Sequence, residues 1–328
     1  MRRRQGAGLI RRHQRGAALL TAMVIVTLVA TLAGAMVWQQ WRAVQVEVAE
    51  RARSQAQWIL TGAIDWARLI LREDARTGGA DHLGEPWAVP LAEARLSTFL
   101  AVDRDNTDDA PEAFLSGSIT DAQSRYNLRN LIDARSGTAA GAEERVLQRL
   151  LETIGARSDL APLIARGLRD AALASGQQTS TSEINADPPL MPERVEQIAW
   201  LGIDAETLAL LSPYVSLLPV RTTVNANTAP KEVLVAVIEG LDLASADRLI
   251  QARQHNPFRN VAEIGKLLPQ GVSAATDRIS VTSAFFEVRG RLRLQDRSVE
   301  ERALVERRNQ DIVTLRRERV VAVDSLAR

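Results

Sequence analysis

Two apolar patterns follow one another near the start of the chain. Residues 17–37 carry no charged side chain, and their number matches the roughly 20 residues that a helix needs to cross about 30 Å of hydrocarbon. Apolar residues then recur at steps near three and four, the period of one helix face: Trp41, Val44, Val48, Ala52, Ile59, Ala63, Trp66 and Ile70. The pattern predicts one helix of about 60 residues that stops near Gly78-Gly79, with residues 17–37 in a membrane.

A basic leader precedes the apolar segment. Residues 1–16 contain six arginines and no acidic residue, so the positive-inside bias predicts a cytoplasmic N-terminus and an exported C-terminal bulk. An ordinary secretory signal is cleaved after its apolar core, whereas the candidate site here lies before the core. The apolar helix would therefore stay on the mature chain. On length and charge alone, a plain signal anchor fits equally well.

Strand and helix patterns then alternate along residues 38–328. A strand is predicted at Phe114–Asp121, and further strands at 278–288, 289–295 and 300–323, with residues 296–298 as a turn. A short helix is predicted at 91–100, and helical patterns fill most of 137–277. We expect an α+β head: residues 38–136 supply a helix and the first strand, residues 278–328 supply antiparallel strands, and an all-α domain at 137–277 is inserted between them.

Composition limits the possible chemistry. The 328 residues leave room for one sizeable domain with an insertion, or two small ones, beyond the anchor. The absence of cysteine excludes disulfides, thiol nucleophiles and cysteine-ligated zinc. Outside the leader the histidines are His82 and His255, which we interpret as solvated loop residues without ligand partners at motif spacing. No catalytic residue stands out, and we expect no enzymatic activity.

Charge bears on the choice of partner. The whole chain has a formal charge of +1, and loss of the six leader arginines leaves 35 basic against 40 acidic residues, a net −5. A mildly acidic mature chain disfavours general nucleic-acid binding.

An acidic run raises the question of calcium. Asp103, Asp105 and Asp109 occupy alternating positions, as in a calcium loop, but the sixth position is Asp108 rather than Gly and the twelfth is Phe114 rather than Glu. The run is not an EF-hand. We interpret it as a solvated loop and keep Asp103, Asp105 and Asp109 as weak candidates for metal ligands.

The junction between leader and helix resembles the site cut by prepilin peptidases. That resemblance implies cleavage between Gly16 and Ala17, where a glycine lets the backbone fit a peptidase cleft. Pilins and most pseudopilins carry glutamate at the fifth mature position, which is Thr21 here. The large minor pseudopilin K of type II secretion systems characteristically lacks that glutamate. Ala17 stands where these families often begin with Phe, so N-methylation of the new terminus is left open.

A second match lies in the head. Residues 124–131, Ser-Arg-Tyr-Asn-Leu-Arg-Asn-Leu, resemble the strand and Asn-Leu-x-x-Leu segment of pseudopilin K heads, and the chain is identified as a member of that family. The resemblance implies a pilin-like fold and a non-catalytic subunit at the tip of the periplasmic pseudopilus, which initiates or caps assembly for protein export. It implies an inner-membrane protein with a periplasmic head, whose partners are other minor pseudopilins, the prepilin peptidase and the inner-membrane platform. Calcium, a structural ion in related heads, is the one cofactor that it leaves open.

Residues 224–270 resemble a helix-hairpin-helix module, which binds duplex phosphate through backbone amides. Its hairpin has carboxylates at Glu239 and Asp242 and only one glycine, Gly240, so a phosphate would meet negative charge and fewer free amides. The Asn-x-Asn-Thr-Ala segment at its start also occurs in pseudopilin K, as scaffold, and we expect no nucleic acid. Two alternatives stay open: a membrane-tethered DNA-binding protein, and a minor type IV pilin, which would usually keep the glutamate and lack the helical block.

Overall fold

A single long helix begins the described part of the protein. The computed structural model describes residues 14–96, 113–133, 138–176, 189–294 and 297–320, and the chain divides into two units between Ile59 and Leu60. Helix α1 (Gln14–Thr77) is continuous over 64 residues. Gly78 and Gly79 follow with positive φ angles of 64° and 126°, a conformation that glycine adopts without steric cost and that ends a helix. The predicted helix and its end are confirmed.

The first unit, within the described residues, is the N-terminal part of α1. Its side chains from Ala18 to Glu47 are exposed, and α1 is the one described helix that is long and apolar enough to cross a membrane. Thr27 and Thr31 donate their hydroxyls to backbone carbonyls of the preceding turn. Because such bonds satisfy polar groups inside the helix, they suit a segment surrounded by hydrocarbon.

The second unit contains a five-stranded antiparallel sheet with the order β1-β2-β7-β8-β9. Strand β2 runs from Ala113 to Asp121 and pairs along its length with β7 (Phe285–Leu294), so the insertion leaves from one central strand and returns to its neighbour. The other three strands are β1 (Leu91–Arg95), β8 (Arg297–Arg308) and β9 (Asp311–Val320).

Residues 60–77 of α1 pack on one face of this sheet. Ile64, Ala67 and Leu71 lie at helical spacing and are almost fully buried against alternate residues of the strands. The strand residues of this core are Ile119, Phe286, Val288, Ala303, Val305 and Ile312, joined by Trp87, whose ring meets Phe286 edge-on at 5.2 Å. This apolar layer holds the sheet to the helix.

The helical insertion has a larger core of its own. Its helices are α2 (Asn130–Asp133), α3 (Thr138–Thr153), α4 (Leu160–Ala174), α5 (Ala205–Leu211), α6 (Lys231–Val237), α7 (Leu243–His255) and α8 (Val261–Gly265). Two short parallel strand pairs accompany them: β3 (Tyr126–Asn127) with β4 (Val215–Ser216), and β5 (Val224–Asn225) with β6 (Ile279–Ser280). The predicted helical block is therefore present, with strand pairs near its ends. The domain boundaries at 137 and 277 stay predictions.

Several local predictions were wrong in detail. Leu91–Arg95, expected to be helical, is edge strand β1, because pairing with β2 overrides the helical preference of its alanines and glutamate. Residues 278–288 and 289–295, expected as two strands, form β6 and the continuous β7. Residues 300–323 contain two strands rather than one, and Arg297 and Ser298, expected in a turn, begin β8. The β8–β9 turn uses Asn309 at φ 57° in place of a glycine or proline signal.

Close approach of α1 to the sheet depends on Gly290. A Cβ at this position would lie 3.2 Å from the Cδ2 atom of Leu60, so the branched side chain of Gly290→Val would push the helix from the sheet. We expect a loss of about 1–3 kcal/mol in the free energy of unfolding, measured by denaturant titration.

Gly62→Ala is the matched control, since a Cβ at Gly62 on the same helix meets no atom within 4 Å. This change should stabilise α1 by up to about 1 kcal/mol. An equal, near-zero effect of the two substitutions would contradict the close helix–sheet contact.

A buried polar junction as the candidate functional site

One buried carboxylate lies where the chain passes from the sheet into the helical insertion. Asp121 is the last residue of β2 and is only 2% exposed. Its Oδ2 atom accepts hydrogen bonds from Asn225 Nδ2 at 3.0 Å, Thr228 Oγ1 at 2.6 Å and Ser283 Oγ at 2.6 Å. Its Oδ1 atom accepts from the backbone amide of Gln123 at 2.7 Å. The residues at which the chain leaves the sheet, enters β5 and returns to β7 thus meet at one side chain.

The segment Asn225-Ala226-Asn227-Thr228 supplies the insertion's part of this junction. Asn225 also donates to the backbone carbonyl of Asp81 at 3.1 Å. Asn227 exchanges two hydrogen bonds of 2.9 Å with the backbone of Phe258, which joins the junction to the end of α7. The Asn-x-Asn-Thr-Ala segment therefore has a structural role in this chain. Its side-chain amides form hydrogen bonds in place of backbone–backbone pairing.

A cluster of acidic side chains around one arginine adjoins the junction. Asp81 accepts from the Ser283 amide at 2.7 Å and from Arg307 Nη1 at 2.7 Å, while Arg307 Nη2 donates to Asp74 at 2.6 Å. Glu85 accepts from the Trp87 indole at 2.7 Å. Asp74 lies in the last turn of α1 and Arg307 near the end of β8, so the cluster ties the helix end to the sheet.

Burial changes the acidity of these carboxyl groups. Desolvation, helped by the negative charge of Glu85 and opposed by Arg307, raises the pKa of Asp74 from 3.8 to about 6. Burial also raises the pKa of Asp81 and of Asp121, against their hydrogen bonds. Ionisation of these buried carboxyl groups therefore costs electrostatic free energy, and the hydrogen bonds that they accept offset this cost.

Asp74, Asp81 and Glu85 are also the one group in the described residues whose carboxylates lie close enough to share a metal ion, with ligand atoms within 4.8 Å of one another. Their cavity of about 170 Å³ contains Arg307. Because this guanidinium already binds two of the three carboxylates, the group is an ion-pair cluster and does not fit calcium without displacement of the arginine.

A second pair of asparagines fixes the entry of the insertion. The side chain of Asn127 donates to the Val220 carbonyl at 2.8 Å and accepts from the Leu218 amide at 3.1 Å. Asn130 exchanges two bonds with the backbone of Thr222, of 3.0 and 3.1 Å. The Asn-Leu-x-x-Leu segment thus has a structural basis: its asparagines pair with a loop, and its leucines are buried in the core.

The predicted site residues lie elsewhere or outside the described residues. Gly16 and Ala17 lie in α1, where the Thr21 hydroxyl donates to the Ala17 carbonyl. Asp103, Asp105 and Asp109 fall in the segment 97–112, outside the described residues. His82 is in a loop, as expected, with its Nδ1 atom accepting from the Gly84 amide. His255, expected in a loop, is the last residue of α7.

The hairpin between α6 and α7 has the charge distribution of a capped helix rather than a phosphate site. Gly240 adopts φ 81° in the turn. The Asp242 carboxylate accepts from the Ser245 amide at 2.6 Å, and this bond and the Ser245 hydroxyl lower the pKa of Asp242. The Ser245 amide in the first turn of α7 therefore already has the Asp242 carboxylate as its acceptor.

Sequence reasoning did not single out Asp74, Asp81, Asp121 or Arg307. One signal was available: in β2, Ala113, Leu115 and Ile119 face the core at alternate positions, and Asp121 continues that series. An aspartate at a core position of a strand indicates a buried carboxylate with dedicated donors.

The comparisons with known proteins agree on one family. Two family models, both described as type II secretion system (T2SS), protein K, match residues 124–220 and 224–282. Similar curated proteins, each called type II secretion system protein K, come from Pseudomonas aeruginosa (28% identical; 88% of this chain and 87% of the relative) and Klebsiella pneumoniae (29%; 88% and 92%). A further one comes from Pectobacterium carotovorum subsp. carotovorum (26%; 94% and 97%).

A solved structure shares the fold. It is the crystal structure of the GspK-GspI-GspJ complex from the enterotoxigenic Escherichia coli type 2 secretion system, of which one chain matches with a TM-score of 0.63 and 20% identity. The match covers 83% of this chain and 98% of that chain.

The fold thus defines a pilin-like protein: a long N-terminal helix, apolar in its first half, on an antiparallel sheet with a large helical insertion. The α+β fold class predicted from the sequence is confirmed. This chain is similar to type II secretion system protein K: the family models match it over residues 124–220 and 224–282, and the curated relatives over 88–94% of its length.

Replacement of the central carboxylate tests the junction. Asp121→Ala would remove the acceptor of the Thr228 and Ser283 hydroxyls and of the Gln123 amide, while Asn225 keeps the Asp81 carbonyl. Each unsatisfied buried group costs about 1–3 kcal/mol. We expect a loss of at least about 3 kcal/mol in the free energy of unfolding, measured by denaturant titration. Asp247→Ala, which removes an exposed pair with Lys231 at 3.5 Å, should change it by less than about 0.5 kcal/mol. Similar values for both variants would contradict the junction.

The pH dependence of stability tests the ionised cluster. Since folding raises the pKa of Asp74 to about 6, between pH 4 and pH 6 the folded chain holds a proton that the unfolded chain has released. The unfavourable contribution of this carboxylate is complete above pH 6 and is relieved as the pH falls. The Tm of the wild type minus that of Asp74→Asn should therefore be larger at pH 5 than at pH 7. A difference that shrinks toward pH 5 would contradict the raised pKa.

Proposed function

We propose that this protein is a non-catalytic minor pseudopilin at the tip of the periplasmic pseudopilus of a type II secretion system, where it initiates or caps assembly for protein export. The observation that carries the proposal is the head itself: a helical insertion fixed to a pilin-like sheet by the buried Asp121 junction. A head enlarged and held in this way is too bulky to be stacked beneath another identical subunit.

The anchor supports a place in the inner membrane. The first part of α1 is long and apolar enough to span the bilayer, and the arginine-rich leader favours a cytoplasmic N-terminus and a periplasmic head. Prepilin peptidase would cut between Gly16 and Ala17, which leaves the apolar helix on the mature chain. Packing of such helices in the membrane would bring the protein to other minor pseudopilins and to the inner-membrane platform.

Thr21 supports a terminal position. Its hydroxyl is satisfied within α1 by the Ala17 carbonyl, so it brings no charge into the bilayer, where an unpaired carboxylate is costly. A subunit without the fifth-position glutamate cannot use that carboxylate to meet the N-terminal amine of a neighbour. It therefore need not have another subunit above it.

The related structure from E. coli supports the choice of partners, since it is a complex of GspK with GspI and GspJ. By analogy, this chain would form a complex with the corresponding minor pseudopilins of its own system. No catalytic step enters the role, because the junction and the ion-pair cluster use their polar groups on one another.

Intact-mass measurement with co-purification tests the proposal. Expressed with its prepilin peptidase and the other minor pseudopilins, the chain should lose residues 1–16 and purify in a stoichiometric complex with those proteins. Gly16→Arg should block the mass loss, because a side chain at this position obstructs the peptidase cleft. Gly8→Arg, in the same leader, is the matched control and should be cut normally. An uncut wild-type chain that purifies alone would overturn the proposal.

A further inference from the structure

The sheet face opposite α1 is rich in arginine. On β7, the alternate residues Arg289, Arg291 and Arg293 face away from the buried Val288 and Leu292. The register places Arg302 of β8 beside Arg289, and Glu318 of β9 beside Arg302. On this face, one line of guanidinium groups thus follows β7, and a second crosses from β7 to β8.

Part of this face forms the floor of a cavity. The cavity has a volume of about 370 Å³, within the range of ligand sites. Its walls come from two segments of the insertion, residues 194–196 and 212–218. Its charged lining consists of five arginines and three glutamates, a net +2: Arg125, Arg194, Arg289, Arg302, Arg316, Glu196, Glu287 and Glu318. We call this cavity the arginine pocket.

Two carboxylates in the arginine pocket are each held between two guanidinium groups. Glu287 pairs with Arg125 at 2.8 Å and with Arg289 at 3.1 Å. Burial opposes ionisation of Glu287, but these two arginines outweigh it and lower its pKa. Glu318 likewise pairs with Arg316 at 2.6 Å and Arg194 at 3.2 Å. The glutamates thus fix the arginines in place. Arg302 also pairs with Glu300 at 3.2 Å. When Arg291, Arg293 and the paired Glu300 and Glu93 are counted with the lining, the face has seven arginines and five glutamates, a net +2.

We propose that the arginine pocket, together with Arg291 and Arg293 beyond it on β7, binds an extended, acidic segment of another protein through carboxylates on alternate residues. A guanidinium group offers five N–H donors in a planar fork that matches a carboxylate. The surplus of two positive charges is compensated by two carboxylates. Alternate residues of an extended chain repeat at about 7 Å, which is also the spacing along Arg289, Arg291 and Arg293. An acidic segment alongside β7 would therefore meet one arginine with every second side chain.

Charge favours this occupant over a phosphate or a nucleic acid. Glu196, Glu287 and Glu318 lie among the arginines of the lining, so two negative charges concentrated on one phosphate would lie close to a glutamate. Single carboxylates spaced along a chain can each face one arginine instead. Beyond the pocket, Glu93 pairs with Arg293 at 2.6 Å, so negative groups occur along the whole row. A partner with separated single charges suits this pattern. The inference rests on the proposed function only in expecting the partner in the periplasm.

Peptide binding tests the proposal on the purified full-length chain in detergent. The probe is a short fluorescein-labelled peptide with glutamate at every second position and serine between, and the control peptide has glutamine for glutamate. Fluorescence anisotropy should show binding of the glutamate peptide alone, weakened by added NaCl. The double variant Arg289→Gln, Arg302→Gln should bind at least about tenfold more weakly, because it removes two charged donors.

Arg319→Gln is the matched control, since Arg319 lies on β9 outside the arginine pocket; it should bind like the wild type. Thermal unfolding establishes that all variants are folded. Four results would each overturn the proposal: equal binding of both peptides, unchanged affinity of the double variant, or no binding at all. The fourth is displacement of the labelled peptide by inorganic phosphate or duplex DNA rather than by free glutamate peptide. The two proposals fail separately: a chain that co-purifies with minor pseudopilins but binds no acidic peptide contradicts the arginine pocket alone.

Discussion

The structure of the head depends on the hydrogen bonds that converge on the Asp121 carboxylate. This group lies where β2 ends, and its donors come from the insertion and from the return to β7. A buried carboxylate is costly without such donors, and the donors are costly without it. The arrangement is therefore specific: a helical block of this size is joined to the sheet in one orientation, where a flexible linker would allow many.

The ion-pair cluster extends this constraint to the helix. Arg307 joins Asp74 in the last turn of α1 to Asp81, which in turn accepts from the backbone at Ser283. The apolar contacts of Ile64, Ala67 and Leu71 fix the same part of α1 on the sheet. Helix end, sheet and insertion are thus connected by adjacent contacts.

Local patterns predicted the elements better than their connections. The charge-free segment and the helical period were enough to predict α1, and alternation was enough to predict β2. Burial on one face determines both patterns. The β8–β9 turn was missed because Asn309 replaces the usual glycine. The junction was missed because Asp121, Asn225 and Ser283 are far apart in sequence and meet only through the topology of the sheet. Asp121 at a core position of β2 was the one local sign of it.

We propose that one such subunit occupies the end of the pseudopilus. The most direct test is to count copies of a fluorescently tagged, functional version of the chain in single pseudopili by stepwise photobleaching, with a second colour on the main fibre subunit. A single terminal subunit predicts one bleaching step per pseudopilus, at one end of the fibre signal. Several steps distributed along the fibre would contradict it.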